Sequence, residues 1–271
     1  GGGCASGTNR TEMELKRVVI VGSGNVAEAL ARALPASGVE LCQLFARNPE
    51  RGPRVAALGG TTWTDDPRRL AAADLYLVAV SDRAVGEVAA SLPVPAGAVV
   101  AHTAGSVPLD ALGRFAHRAV LYPLQTFTAG RAVDFARVPL FIEASDEATR
   151  GAVERFARRL STQVYPADSQ RRGALHLAGV LACNFVNALY TAGERTLARE
   201  GLPFEVLKPL IAETAAKALA SPSPAAVQTG PAVRGDLPTL ERHRARLAGD
   251  ALLLEIYNSM SQYIWETSRK I

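Results

Sequence analysis

Apolar runs rich in β-branched residues alternate with stretches of helical periodicity from about residue 15 to residue 166. This alternation is typical of parallel strands joined by crossover helices. We expect an α/β fold with a Rossmann-type, doubly wound, mostly parallel sheet. Its strands are predicted at 17–21, 40–45, 75–80, 98–101, 119–121, 138–143 and 162–165.

The pattern changes after Asp168, where β-branched runs nearly vanish and apolar positions keep helical spacing. Proline and glycine clusters at 201–203 and 221–224 break this region into separate helices. The spacing predicts helices over 169–200, 203–220, 224–228 and 237–267. We therefore divide the chain into a disordered tail or foreign remnant (1–13), a dinucleotide-binding Rossmann-like domain (14–167) and an all-helical domain (168–271).

A glycine-rich turn follows the first predicted strand. The strand runs directly into a Gly-x-Gly-x-x-Ala motif that opens a helix, the context in which helix N-terminal amides hold a pyrophosphate. One glycine permits the tight turn, and the other lets the backbone approach phosphate. The predicted cofactor-binding residues here are Gly22, Ser23, Gly24, Asn25 and Val26.

The end of the second predicted strand indicates which dinucleotide is bound. Enzymes that use NAD commonly carry an acidic residue here for the ribose 2′-hydroxyl, whereas this chain has Arg47 followed by Asn48. Arginine suits a 2′-phosphate through paired charge-assisted hydrogen bonds, so we predict NADP. The alternative is a tight turn with a solvated Arg47.

Two further strand ends are expected to border the cofactor, because ligands of doubly wound sheets bind outside the carboxyl ends of the strands. Val80 and Ser81 close one strand, and Thr103 follows another. Asp82 is favoured as a helix N-cap, since an apolar-patterned helix follows it.

A polar stripe marks the long helix predicted after residue 168. At 100° per residue these side chains share one face of a helix that is otherwise apolar, so we expect a buried helix with a polar seam lining a cleft. Its members are His176, Asn184, Asn187, Thr191 and Glu194. They could equally be ordinary hydrogen-bonded groups of a helix core.

Histidine is the natural general acid or base near neutral pH, so His176 is our first catalytic candidate and Asn184 an orienting one. His102, at a strand end, is the competitor, whereas His117 and His243 stand in polar segments and are expected to be exposed.

Two loops also contain candidate substrate-binding residues. Gln125 could donate to a substrate carbonyl, or make a structural turn contact. Arg234 could bind a substrate carboxylate, although a salt bridge to Asp236 or to a neighbour is at least as plausible.

Composition narrows the class of protein. The 271 residues carry a net charge of only +4, and the arginines are spread along the chain, which argues against nucleic acid as a partner. Cys4, Cys42 and Cys183 have neither metal-ligand spacing nor an even number for disulfides, which predicts no metal site and a cytoplasmic protein. No apolar stretch approaches about 18 uninterrupted residues, so we predict no membrane span.

From about residue 15 onward the chain resembles bacterial NADP oxidoreductases that join a Rossmann-like domain to a helical domain of unknown function. The resemblance rests on the glycine motif at 21–27 together with segments 102–106, 122–127, 175–178, 183–185 and 229–231. It is more distantly similar to pyrroline-5-carboxylate reductase, ketopantoate reductase and the 6-phosphogluconate dehydrogenase group. This similarity implies a homodimer formed through the helical domain, with the substrate in a cleft between domains.

These features together predict an NADP-dependent oxidoreductase, acting as a reductase, that transfers hydride between NADPH and a small polar carbonyl or imine compound. The alternatives are a non-catalytic NADP-binding sensor or partner protein, and an enzyme that uses NADP oxidatively on a hydroxy or amino acid. The sequence does not identify the substrate, the reaction direction or the pathway.

Overall fold

The computed structural model describes residues 12–268. Most of the segment predicted as a tail, 1–13, lies outside the described residues. Met13, at its end, packs against the edge of the hydrophobic core. The chain divides into two compact units, the first ending at Asn184 and the second beginning at Phe185.

The first unit is built on an eight-stranded sheet with strand order β3-β2-β1-β4-β5-β6-β7-β8. Neighbouring strands are parallel except for the antiparallel pair β6 and β7. The predicted doubly wound, mostly parallel sheet is therefore confirmed. The strands are β1 (Arg17–Val21), β2 (Glu40–Phe45), β3 (Trp63–Thr64), β4 (Leu75–Val78), β5 (Val99–His102), β6 (His117–Pro123), β7 (Leu140–Ala144) and β8 (Val164–Pro166).

Both faces of this sheet are buried, as expected when crossover helices cover a parallel sheet. Alternation along β1 sends Val18 and Ile20 into one core cluster and Val19 and Val21 into the other. The helices of this unit are α1 (Asn25–Ala33), α2 (Arg51–Leu58), α3 (Val85–Ser91), α4 (Glu147–Leu160) and α5 (Ser169–Gly179).

The predicted strands agree with the structure to within three residues at their ends, but one strand was missed. That strand, β3, has only two residues and lies at the sheet edge, too short for any periodicity to register. The strand predicted at 75–80 ends at Val78, and the residues after it turn toward α3.

The second unit consists of helices: α6 (Phe185–Ala198), α7 (Lys208–Ala220), α8 (Pro231–Arg234), α9 (Leu237–Arg246) and α10 (Ala251–Ser268). The single helix predicted at 237–267 is wrong, because the chain turns at 247–250 and Asp250 accepts a hydrogen bond from the Leu253 amide at the start of α10. The segment predicted at 224–228 is a 3₁₀ turn at Pro224–Val227.

The helix that follows Asp168 is not buried as predicted. It continues from α5 through a π-helical segment, Val180–Asn184, into α6, and Leu177, Leu181 and Phe185 are each more than half exposed. The segment Ser169–Ala198 contains an 18-residue window with a mean hydropathy of 1.3 and is by length and composition able to cross a membrane. Core helices of globular proteins share that length and composition, so the membrane evidence is weak.

Candidate cofactor and substrate site

The carboxyl ends of β1, β2 and β4 open onto a cleft of about 570 Å³ in the first unit. We call this space the cofactor cleft. It lies where the strand order reverses around β1, the position at which doubly wound sheets bind dinucleotides. Nine of the predicted cofactor-binding residues line it: Gly22, Ser23, Gly24, Asn25, Val26, Arg47, Asn48, Val80 and Ser81.

The two glycines of the turn have the geometry that a pyrophosphate site requires. Gly22 adopts φ +120°, and a Cβ there would lie 2.3 Å from the carbonyl oxygen of Ala79. A Cβ at Gly24 would meet nothing within 4 Å, so its backbone faces open space at the start of α1. The turn is therefore closed toward the sheet and open toward a ligand, which fits the phosphates of a dinucleotide.

An arginine that the sequence reasoning missed supports this turn. Arg51 donates from Nε to the Ser23 carbonyl oxygen at 2.7 Å, while its buried Nη2 has no hydrogen-bond partner within the described residues. Arg47, four residues earlier, is exposed at the cleft rim. Asn48 accepts backbone hydrogen bonds from Glu50 and Arg51 through Oδ1, which fixes the start of α2. The sequence feature that could have indicated a role for Arg51 is its position four residues after Arg47.

Two residues at the carboxyl end of β5 differ from the expectations. Thr103 is buried and does not line the cofactor cleft. His102, the competing catalytic candidate, is fully buried; its Nδ1 accepts from the Ala104 amide and its Nε2 lies 3.2 Å from the Pro108 carbonyl oxygen. Burial lowers the pKa of His102 to about 4, so it is a neutral structural group at neutral pH.

Asp82 is not the N-cap that its position predicted. Ser81 occupies the cap position, and the Asp82 carboxylate instead accepts a 2.5 Å hydrogen bond from the hydroxyl of Ser106. This bond ties the end of β4 to the loop after β5. It holds an exposed carboxylate in the lining of the cofactor cleft.

A second space of about 580 Å³ adjoins the cofactor cleft in the same unit. We call it the substrate pocket. Asn25 and Val26, at the start of α1, line both. The three predicted catalytic residues, Gln125, His176 and Asn184, all line the substrate pocket. The π-helical segment Val180–Asn184 forms part of its wall, and such segments frequently occur at functional sites.

Gly105, Tyr122 and His176 meet at the wall of this pocket. A Cβ on Gly105 would lie 2.7 Å from Cζ of Tyr122 and 3.1 Å from Cβ of His176, so only glycine lets the two rings approach the loop. The ring centroids of Tyr122 and His176 are 6.4 Å apart. Burial first, and then the charge of Asp82, raise the pKa of the Tyr122 hydroxyl, which keeps it protonated at neutral pH.

Arg172 anchors this wall, although the sequence analysis assigned it no role. It lies one helical turn before His176, is fully buried, and pairs with Glu143 on β7. It also donates to the carbonyl oxygens of Val107 at 3.0 Å and Ala167 at 3.1 Å. Arg172 therefore joins the loop after β5 to the helix that carries His176.

The loop after β6 forms the opposite wall. Oε1 of Gln125 accepts from the Thr126 amide at 2.9 Å, which leaves the Nε2 donor directed away from its own backbone. Asn25 donates from Nδ2 to the Phe127 carbonyl oxygen at 3.1 Å, so the start of α1 and this loop are joined directly.

Several other sequence candidates lie outside the two spaces. Asp236 caps α9 by accepting from Thr239. These hydrogen bonds, and to a smaller extent the charge of Arg234, lower the pKa of Asp236, and no direct ion pair joins the two side chains within the described residues. His117, expected to be exposed, is half-buried beside Asp146, whereas His243 is exposed and bonded to Tyr257. The remaining seam residues, which belong to α6, do not line the substrate pocket: Asn187, Thr191 and Glu194. The π-helical segment offsets them from the 3.6-residue register that the prediction assumed.

Comparisons with known proteins agree with this architecture. Residues 17–105 match the family described as "NADP oxidoreductase coenzyme F420-dependent", and residues 138–264 match a domain of unknown function. No protein with a curated description matches the chain.

Solved structures extend the match over nearly the whole chain. A protein from Bacteroides fragilis described as an NADP oxidoreductase is 37% identical, with a TM-score of 0.88 over 94% of this chain and 99% of its own. A protein from Thermotoga maritima is 22% identical, with a TM-score of 0.78 over 93% and 99%. A 1-pyrroline-5-carboxylate reductase from Streptococcus pyogenes shares the fold at 13% identity, with a TM-score of 0.61 over 92% and 98%. The chain therefore belongs to the NADP oxidoreductases in which a Rossmann-like coenzyme domain precedes a helical domain of unknown function.

Proposed function

We propose that this oxidoreductase uses NADPH to reduce a small polar carbonyl or imine compound bound in the substrate pocket. The observation that carries this proposal is the sharing of Asn25 and Val26 between the cofactor cleft and the substrate pocket. A dinucleotide held at the glycine turn would thus have its reactive end beside His176, Gln125 and Asn184.

The residues of the cleft suit NADP. The turn from Gly22 to Val26 offers helix N-terminal amides to the pyrophosphate, and Arg47 offers a guanidinium to a 2′-phosphate. Arg51, through Ser23, holds the turn in place. When bound, NADPH supplies the hydride that reduces the substrate carbon.

His176 is the proposed proton donor to the substrate oxygen or nitrogen, while the Gln125 amide orients the group being reduced. Exchange of His176 for alanine should lower turnover at least tenfold with little change in NADPH affinity. His243→Ala is the matched control, because this exposed histidine belongs to the second unit and lies outside the pocket. Equal turnover in both variants would remove His176 from the mechanism.

The experiment that tests the function uses purified protein and NADPH. Binding of the cofactor is measured by fluorescence, and a panel of 2-oxo acids, aldehydes, ketones and cyclic imines is screened for thermal shift and then for NADPH oxidation. Oxidation that depends on a panel compound supports the reductase. Tight NADPH binding with no compound bound by the holoprotein supports the sensor alternative instead.

The same proposal includes a homodimer formed through the helical unit in the cytoplasm. Among the described residues of that unit only Ala232 and Leu240 are buried apolar side chains, too few to hold the helices together alone. Large apolar side chains are instead exposed along α6, α7 and α10, and a second copy would cover them. Light scattering should give twice the chain mass of 28.6 kDa. A monomer at micromolar concentration would contradict this assembly.

A further inference from the structure

The chemistry of the substrate pocket narrows the compounds that the proposed reductase can accept. Among the described residues fifteen line the pocket, and all of them belong to the first unit. None is an aspartate, glutamate, lysine or arginine, so the only lining side chain that can become cationic is His176. Enzymes that recognise a substrate carboxylate or phosphate typically present an arginine, a lysine or a helix N-terminus to it. The helix N-terminus in this lining, at Asn25 and Val26 of α1, is the one assigned to the pyrophosphate of the cofactor.

The two arginines that support the pocket wall and the cofactor turn are engaged elsewhere. Arg172 is fully buried and pairs with Glu143, and its other bonds go to the backbone carbonyls of Val107 and Ala167. Arg51 donates to the Ser23 carbonyl at the cofactor turn. Neither guanidinium lines the substrate pocket.

One formal charge that acts on the pocket wall is negative. Burial first, and then the Asp82 carboxylate held by Ser106, raise the pKa of Tyr122, which lines the pocket. A substrate anion beside Tyr122 would therefore lose its water and be repelled by Asp82. The one lining cation it could meet, a protonated His176, is the proposed proton donor to the group being reduced. A neutral group meets no such cost.

The lining also offers hydrogen bonds and apolar surface that a neutral compound can use. The Nε2 donor of Gln125, whose Oε1 is the atom bonded to the Thr126 amide, and the carboxamide of Asn184 can bond a carbonyl oxygen or an imine nitrogen. Leu124, Phe127, Leu175 and Val180 supply apolar surface for the rest of the molecule.

We infer that the substrate is a neutral ketone, aldehyde or imine with an apolar body and without a carboxylate or phosphate beside the carbon that is reduced. This inference rests on the proposed function and narrows its substrate class. It excludes 2-oxo acids and imine carboxylates as preferred substrates.

Matched pairs that differ in one charge test the inference. The holoprotein is titrated with pyruvate against butane-2,3-dione, phenylpyruvate against its methyl ester, and 1-pyrroline-2-carboxylate against 1-pyrroline, and both binding and NADPH oxidation are measured. The neutral member of each pair should bind at least tenfold more tightly and be reduced with the higher kcat/KM. Acid members that bind equally or more tightly would overturn the inference, and so would a holoprotein that binds no member of any pair.

A charge variant supplies an independent test. Thr126 lines the pocket and is exposed, so Thr126→Lys adds a cation at its rim. Thr128→Lys is the matched control, because Thr128 is exposed on the same loop but does not line the pocket. Thr126→Lys should move the acid-to-neutral preference toward the acid by about tenfold, and Thr128→Lys should leave it unchanged. Equal preferences in both variants would overturn the inference.

Measuring NADPH binding distinguishes a failure of the neutral-substrate inference from a failure of the proposed function. An acid preference in a protein that binds and oxidises NADPH would refute only the neutral-substrate inference. A protein that binds no NADPH would refute the proposed function itself.

Discussion

Replacing Arg172 by methionine tests how the wall of the substrate pocket is held. The exchange keeps a long apolar stem in the same space but removes the guanidinium that joins Glu143, Val107 and Ala167. Two carbonyl oxygens then lose a donor, and the Glu143 carboxylate loses its cation. Because Arg172 is fully buried, water cannot replace these bonds without opening the structure.

The expected loss of stability follows from the burial of the ion pair between Arg172 and Glu143. Breaking a buried ion pair costs about 3–5 kcal/mol, and the partial exposure of Glu143 places this case near the lower end. We therefore expect the free energy of unfolding to fall by about 3 kcal/mol and the Tm by about 6–12 °C. Turnover should fall as well, because Val107 belongs to the loop that carries Gly105. The affinity for NADPH should be unchanged.

Urea unfolding followed by Trp63 fluorescence in a Trp265→Phe background measures the first unit, which contains Trp63. Arg158→Met is the matched control, because Arg158 pairs with Glu154 on the surface of α4 and should contribute less than about 1 kcal/mol. The double variant Arg172→Met/Glu143→Gln should recover part of the loss. A loss below about 1 kcal/mol for Arg172→Met, equal to the surface control, would refute the reasoning.

Three further predictions concern the turn and the pocket. Gly22→Ala should abolish NADPH binding in titrations, because its Cβ would lie 2.3 Å from the Ala79 carbonyl at φ +120°; normal affinity would contradict this. Gly105→Ala should lower turnover at least tenfold while sparing NADPH affinity, because its Cβ would lie 2.7 Å from Cζ of Tyr122; unchanged kcat would count against the pocket geometry. The pKa of His102 falls from 6.5 to about 4 on folding, so the unfolded chain binds more protons between these pH values. Stability should therefore decline by about 3 kcal/mol as the pH drops from 6.5 to 4. In urea titrations His102→Asn should flatten that decline, and an equally steep profile would refute the assignment.

The parts of the site that the sequence predicted are local in the chain. Gly22, Gly24 and Arg47 follow buried strands at fixed spacing, so the strand pattern alone places them at the same edge of the sheet. The same logic was wrong for Thr103. A strand end specifies the sheet edge, but the path of the loop after it decides which side chains turn into the core, and here both His102 and Thr103 are buried.

The parts that could not be predicted depend on contacts between distant segments. Arg172 and Glu143 are 29 residues apart, and no periodicity links a helix residue to a strand residue. The π-helical segment Val180–Asn184 has no pattern that sets it apart from α-helix. The apolar face of α5 and α6 was visible in the sequence, but its exposure was not, because periodicity indicates a face to be covered without indicating what covers it.

The affinity of the protein for NADPH compared with NADH tests the central claim most directly. The two cofactors differ by the 2′-phosphate, and charge-assisted hydrogen bonds from Arg47 should make NADPH bind about tenfold to a hundredfold more tightly. Arg47→Ala should remove that difference and leave NADH affinity unchanged. Equal or tighter binding of NADH by the unmodified protein would contradict the assignment of this cleft to NADP.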